Sequence, residues 1–299
     1  MSTFLPAEKG MTIRQPSTAN LMLDSADRSA VYPLANSFQI SKPQALMNGY
    51  FTRIGTTEVV LEYNRPNLAS VLANNTITID LSGTTSGTPS QTFTATGFYT
   101  AEQLIRWLTE RLTDMSGTVV PNATWSVAAT TGAEGQGSGA ILTPSALVYA
   151  EFSGPIADAL GISGTGLVEY GPAPADQQLF ISNVNVDLRP FRYLDFVSPQ
   201  LTYNQDLKDA ATNSVTRDVL CRWYMDWDEQ PALDGFGFPI LMGYTPFKAR
   251  RLFNPPKQIR WDNIQPIGNL AFEVYTDQNV LAPFNAFTNW LMTLQVSEV

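Results

Sequence analysis

The sequence has no histidine. That absence removes the Ser-His-Asp and Cys-His mechanisms, the side chain that titrates most readily near neutral pH, and the commonest transition-metal ligand. There is one cysteine, Cys221, so an intrachain disulfide and a cysteine-rich zinc site are both excluded. Charge is scarce too. Charged residues are 15% of the 299, against roughly 25% in ordinary soluble chains. The 27 acids outnumber the 18 bases, for a net charge of −9, and such a chain is a poor match for a phosphate backbone. No specific nucleic-acid site is expected. No stretch reaches the roughly 18 apolar residues that span a bilayer, and Met1 to Gly10 lacks the apolar core of a signal peptide. The expectation is a soluble protein made in a reducing compartment.

What is present is alternation. Val219, Cys221, Trp223, Met225 and Trp227 fall on one face of a run, with Leu220, Arg222, Tyr224 and Asp226 on the other. Trp290, Met292, Leu294 and Val296 share a face in the last run, and Leu270, Phe272 and Val274 do so earlier. Ile77, Ile79 and Leu81 alternate with polar residues, as do Val184, Val186 and Leu188. Strand side chains point to opposite faces in turn, so each run offers one face to a core. Further strands are expected at 38–40, 57–63, 91–95, 125–129, 147–152, 178–181, 193–197 and 258–262. Leu220 and Tyr224, apolar on an outer face, are candidate contacts with another layer or chain.

One amphipathic helix interrupts the strands. Thr100 and Gln103 have capping-box spacing, and Leu104, Ile105, Trp107, Leu108 and Leu112 form its apolar stripe. It is expected to end near Asp114, before Gly117. A second, short helix is expected from Ile156 to Leu160. The Gly-rich run from Thr130 to Gly139 reads as a hairpin tip. Strands spaced by turn signals suggest a sandwich or barrel, and a parallel α/β fold is disfavoured because each crossover needs its own helix. The first twenty residues lack a period and read as an extended arm.

No constellation supports an enzyme, and no catalytic, cofactor-binding or metal-ligating residue is assigned. Asp226, Asp228, Glu229 and Asp234 contain carboxylates that a glycosidase or calcium site needs, but Pro231 and Gly235 favour a solvated turn. Lys248, Arg250 and Arg251 form the one basic cluster. Phe247, Leu252 and Phe253 flank it, which favours a subunit-contact strip or a solvated face over nucleic acid. Cys221 sits in an apolar alternation and reads as a buried, inert thiol. Trp223, Tyr224, Trp227 and Trp261 could stack on sugars, but their strand spacing favours packing.

The order of several short motifs carries a resemblance. Residues 20–28 (NLMLDSADR), 36–40 (NSFQI) and the strand ending Asn64-Arg65-Pro66-Asn67 open the series. The Thr76 to Leu81 strand, Gly97-Phe98-Tyr99-Thr100 before the helix, and the Leu160-Gly161 step follow. Leu194 to Leu207, Lys208-Asp209, Asp218 to Trp227, Pro256 to Trp261 and Trp290 to Glu298 close it. In this order they resemble penton-type minor capsid proteins of virophages, polinton-like viruses and related icosahedral double-stranded DNA viruses. The resemblance implies an all-β, antiparallel single jelly-roll sandwich with an inserted α+β segment containing one amphipathic helix. It divides the chain into an arm (1–19), a jelly roll (20–82 and 178–299) and an insertion (83–177). It also implies a homopentamer at the capsid vertex of a virion, beside major capsid protein neighbours. Candidate subunit contacts are then Leu220, Tyr224, Arg250 and Arg251. The alternative is a jelly-roll attachment protein that binds a host receptor or glycan.

Overall fold

The computed structural model describes residues 18–41, 53–84, 90–131, 138–164, 166–172, 177–202, 219–226, 232–240, 245–260 and 268–297. The arm expected at 1–19 lies outside them up to residue 17, and residues 18 and 19 already belong to a strand. The chain opens with β1 (Thr18–Asp24), β2 (Ser37–Ser41) and β3 (Arg53–Tyr63). It then leaves for β4 (Thr76–Asp80), β5 (Ser90–Thr94), helix α1 (Ala101–Val119), β6 (Trp125–Thr131), β7 (Ser138–Pro144), β8 (Val148–Ser153), helix α2 (Pro155–Leu160), β9 (Val168–Tyr170) and β10 (Leu179–Ser182). It returns with β11 (Tyr193–Val197), helix α3 (Pro199–Thr202), β12 (Val219–Tyr224), β13 (Ala232–Leu233), β14 (Pro239–Ile240), β15 (Phe247–Leu252), β16 (Gln258–Arg260), β17 (Asn269–Thr276) and β18 (Asn289–Ser297).

The opening and closing strands build two antiparallel sheets, ordered β1-β18-β3-β15, with β16 also on β3, and β12-β11-β17-β2. The first and last strands are neighbours, and β2 pairs with β17. This interleaving of chain ends makes the sandwich a jelly roll. Its inner faces follow from alternation. Trp290, Met292, Leu294 and Val296 of β18 are buried against Phe38, Phe196 and Phe272 of the facing sheet. The Trp290 ring lies 5.3–5.7 Å from these three phenylalanine rings, and its indole N–H donates to the Ala35 carbonyl at 2.8 Å. A buried tryptophan is thereby satisfied at both its apolar and its polar end.

Two bulges break the alternation. In β3 the pairing with β18 slips between Thr293 and Leu294, so Thr57 is an extra residue. The inward positions accordingly switch from Ile54 and Thr56 to Val59, Leu61 and Tyr63. In β12 the slip falls between Phe196 and Val197, which leaves Leu220 as the extra residue. A one-residue slip moves a side chain to the opposite face.

The inserted strands form two smaller sheets, β5-β4-β8-β9 and β10-β7-β6. Helix α1 covers them with Leu104, Ile105, Leu108 and Leu112, all fully buried. Its start is the expected capping box: Gln103 N donates to Thr100 Oγ1 and Thr100 N donates to Gln103 Oε1. Its end is not as expected. The helix continues through Gly117 to Val119, because Met115 and Ser116 are buried and Trp125 Nε1 donates to Ser116 Oγ at 2.8 Å. Packing there outweighs the cost of a helical glycine, about 1 kcal/mol. The run from Val184 to Leu188 is also corrected. It is a turn and extended chain, with Val184 exposed.

The second core draws on residues to either side of 83–177. The second core includes Leu68, Ile77, Ile79 and Leu81 before the expected insertion, and Leu179, Ile181 and Leu188 after it. Strands β4 and β10 pair within the inserted sheets and not within the sandwich. Phe236 and Phe238, from the turn between β13 and β14, also belong to the second core. A late hairpin therefore returns to clasp the insertion.

Candidate subunit interface

Of the four residues singled out as contacts, three are exposed and one is not. Leu220 has 0% exposure and lies in the sandwich core. Alternation placed it outward; the bulge in β12 turns it inward. It is not a surface contact. Tyr224 is 58% exposed on the outer face of the second sheet. Its register partner across the strands is Tyr193, with ring centroids 5.5 Å apart in an edge-on arrangement.

Beside this pair sits an ion pair that sequence reading missed. Arg222 Nε and Nη2 donate to the two carboxylate oxygens of Asp195 at 2.7 and 2.8 Å. Asp195 is buried although it faces outward, because Arg222 closes over it. The guanidinium also lies 4.1 Å above the Tyr193 ring. Hydrogen bonding to Asp195 raises the Arg222 pKa, against the desolvation that lowers it, so the pair stays charged. Burial raises the Tyr193 phenol, with the Arg222 charge opposing. The result is an outer patch of two tyrosines and one ion pair. An aspartate inside the apolar run Tyr193–Val197, with an arginine in the facing run, was the signal available in the sequence.

The basic cluster proves to be two things. Lys248 Nζ donates to Glu62 at 2.6 Å, and Arg250 pairs with Glu58, both carboxylates coming from β3. These residues, with Asp24 and Asn289, line a shallow depression of about 440 Å³ on the first sheet's outer face. Arg251 points to the opposite side of β15 and pairs at 3.1 Å with Asp226, two residues past the end of β12. All three bases thus meet carboxylates of their own chain. Exposed pairs of this kind contribute little stability, about 0–1 kcal/mol each.

The other candidates are placed as follows. Asp234 shapes a turn, accepting from the backbone N–H groups of Phe236, Phe238 and Glu102. Asp228, Glu229, Trp227 and Trp261 lie outside the described residues. Trp223 is buried at 3% exposure, so it offers no face to a sugar. Burial pushes the Cys221 thiol up to about 12, which keeps it protonated and unreactive. Among the described residues no cluster of three or more metal-ligating side chains occurs, and no helix is long and apolar enough to cross a membrane.

No protein-family model matches the sequence, and none of the curated proteins does. Among solved structures the chain is similar to a mavirus penton protein, at 11% identity and a TM-score of 0.52. The alignment covers 96% of this chain and 100% of that one. At such identity the likeness is one of fold alone, a mostly β, antiparallel jelly-roll.

Proposed function

We propose that the chain is a vertex subunit of an icosahedral virus shell, a penton-type minor capsid protein with a structural and not a catalytic role. The observation that supports this reading is the likeness of fold to a penton protein over nearly the whole of both chains. Five copies close a ring through head-to-tail contacts, which generate cyclic symmetry when the rotation between neighbours closes. The Tyr193–Tyr224 patch and the Lys248–Arg251 strand are the contact surfaces we assign, with major capsid protein subunits around the ring. The insertion projects outward, and a particle reconstruction that finds it beneath the shell overturns that part.

The test is the mass of the purified full-length chain by native mass spectrometry, alone and with particle components. A closed pentamer, weakened by Tyr224→Lys, supports the reading. A chain that stays monomeric and never incorporates into particles overturns it.

A further inference from the structure

Two of the chain's crossings between the sandwich and the inserted sheets flank a cleft of about 470 Å³. The outgoing crossing contributes Arg65 and Val71, the returning one Asp187 and Arg189, and the β17–β18 connection contributes Val280 and Leu281. The charges inside do not balance. Arg189 forms two bonds to Asp187 at 2.6 and 2.7 Å. Arg65 meets no carboxylate among the described residues. Its one hydrogen bond runs from Nη2 to the Phe284 carbonyl at 3.2 Å, and its Nε, closed off from solvent, has no acceptor. A guanidinium offers five N–H donors, so most of this one's capacity is unused. It is a net positive spot in a chain of net charge −9.

The rim has a different character. Val71, Val280 and Leu281 are exposed, at 60%, 53% and 42%. Arg189 is already paired, the polar side chains of Asn36, Asn74 and Thr276 bond to the chain's own backbone, and the ring of Phe284 is buried, so the cleft offers one cation, unpaired among the described residues, beneath an aliphatic rim, a poor fit to a polyphosphate or a sugar. It is suited to one carboxylate flanked by aliphatic side chains. The volume is within the range of pockets that hold small ligands.

We propose that this cleft binds a peptide segment of a different protein chain, in which one aspartate or glutamate is flanked by aliphatic residues. The carboxylate meets the free donors of Arg65, and the aliphatic groups cover Val71, Val280 and Leu281. This inference does not depend on the vertex reading.

The test titrates the full-length protein with acetyl-Leu-Asp-Leu-amide and acetyl-Leu-Asn-Leu-amide, followed by saturation-transfer NMR. The aspartate peptide is expected to bind about tenfold tighter, as one charge-assisted hydrogen-bonded pair provides. The preference shrinks as salt rises, disappears in Arg65→Gln, and is partly kept in Arg65→Lys, whose charge remains but whose planar fork is lost. Val280→Ser weakens both peptides alike. Equal binding of the two peptides, no binding at millimolar concentration, or a preference that survives Arg65→Gln overturns the proposal. So does inorganic phosphate that displaces the aspartate peptide at lower concentration than free acetate does. Self-association of the protein that is lost in Arg65→Gln also overturns it, by giving the cleft to a second copy.

Discussion

The sandwich and the insertion each bury an apolar core of similar residue number, by different means. In the sandwich, rings from distant parts of the chain meet: Phe38, Phe196, Phe272 and Trp290 lie on β2, β11, β17 and β18, and Tyr63 packs against Phe191, Phe247 and Phe284. In the insertion, one capped helix supplies four consecutive-turn aliphatic residues to a core of Leu, Ile and Ala with fewer rings. The first core cannot exist until both ends of the chain have arrived. The second draws mostly on residues within about one hundred positions, and the Phe236–Phe238 turn is its long-range clasp. Non-local contacts are slow to form, because loop closure precedes their reward.

The largest effects come from cutting each core at its centre. Trp290→Ala removes a ring with three aromatic neighbours and orphans the Ala35 carbonyl, at an expected cost of about 3–5 kcal/mol. Leu108→Ala in α1 leaves a cavity in the second core, for about 2–5 kcal/mol. Cys221 reports on the difference, because it lies in the sandwich core and reacts only when that core opens. In denaturant, Trp290→Ala is expected to bring thiol labelling forward, while Leu108→Ala melts helix content without exposing Cys221. Equal acceleration of labelling by both variants would mean one cooperative unit and erase the contrast. A smaller loss follows from Arg222→Ala, which takes two charge-assisted hydrogen bonds and the cation from the Asp195 carboxylate while uncovering it to water, about 1.5–3 kcal/mol. If Arg222→Ala with Asp195→Asn recovers most of that loss in chemical denaturation, the cost belongs to the stranded charge and not to lost packing.

The contrast also sorts what could be read from the sequence. Local signals were legible: the capping box of Thr100 and Gln103, the inward face of β18, the span Tyr193–Val197. Signals that depend on a partner strand were not. Nothing in the run Val219–Tyr224 announces that Leu220 is an extra residue, since a bulge is a property of two strands. Val184, Val186 and Leu188 alternate as well as a true strand does, yet they pair with no strand among the described residues and form a turn followed by extended chain. The split of Lys248, Arg250 and Arg251 between two faces required knowing that Asp226 stands beside Arg251. Arg65 stood in the sequence only as part of the Asn64-Arg65-Pro66-Asn67 motif, and that it meets no carboxylate among the described residues is a property of the fold.

Two smaller perturbations sharpen the insertion side of the comparison. Thr100→Ala removes one half of the capping box and costs about 1 kcal/mol, seen as a lower melting temperature for the helix with unchanged Cys221 protection. The smallest effect concerns the clasp. Glu102, in the first turn of α1, accepts from Arg106 at 2.7 and 2.9 Å and from the Gly235 backbone N–H at 2.9 Å. The hydrogen bonds from Arg106, and then the one from Gly235, lower its pKa below the ordinary carboxylate value of 4.5. A carboxyl with a depressed folded-state pKa contributes stability that is present above the unfolded value and is lost as pH falls through the folded one. The clasp is therefore expected to loosen in acid, below the ordinary carboxylate range. Amide exchange at Gly235 and Phe236 should accelerate in that window while exchange in β18 does not. Glu102→Gln keeps an acceptor but removes the charge, so it should weaken protection at neutral pH and abolish the acid step. Exchange at Gly235 that follows the same pH course in both proteins would mean that Phe236 and Phe238, by burial alone, hold the hairpin to the insertion.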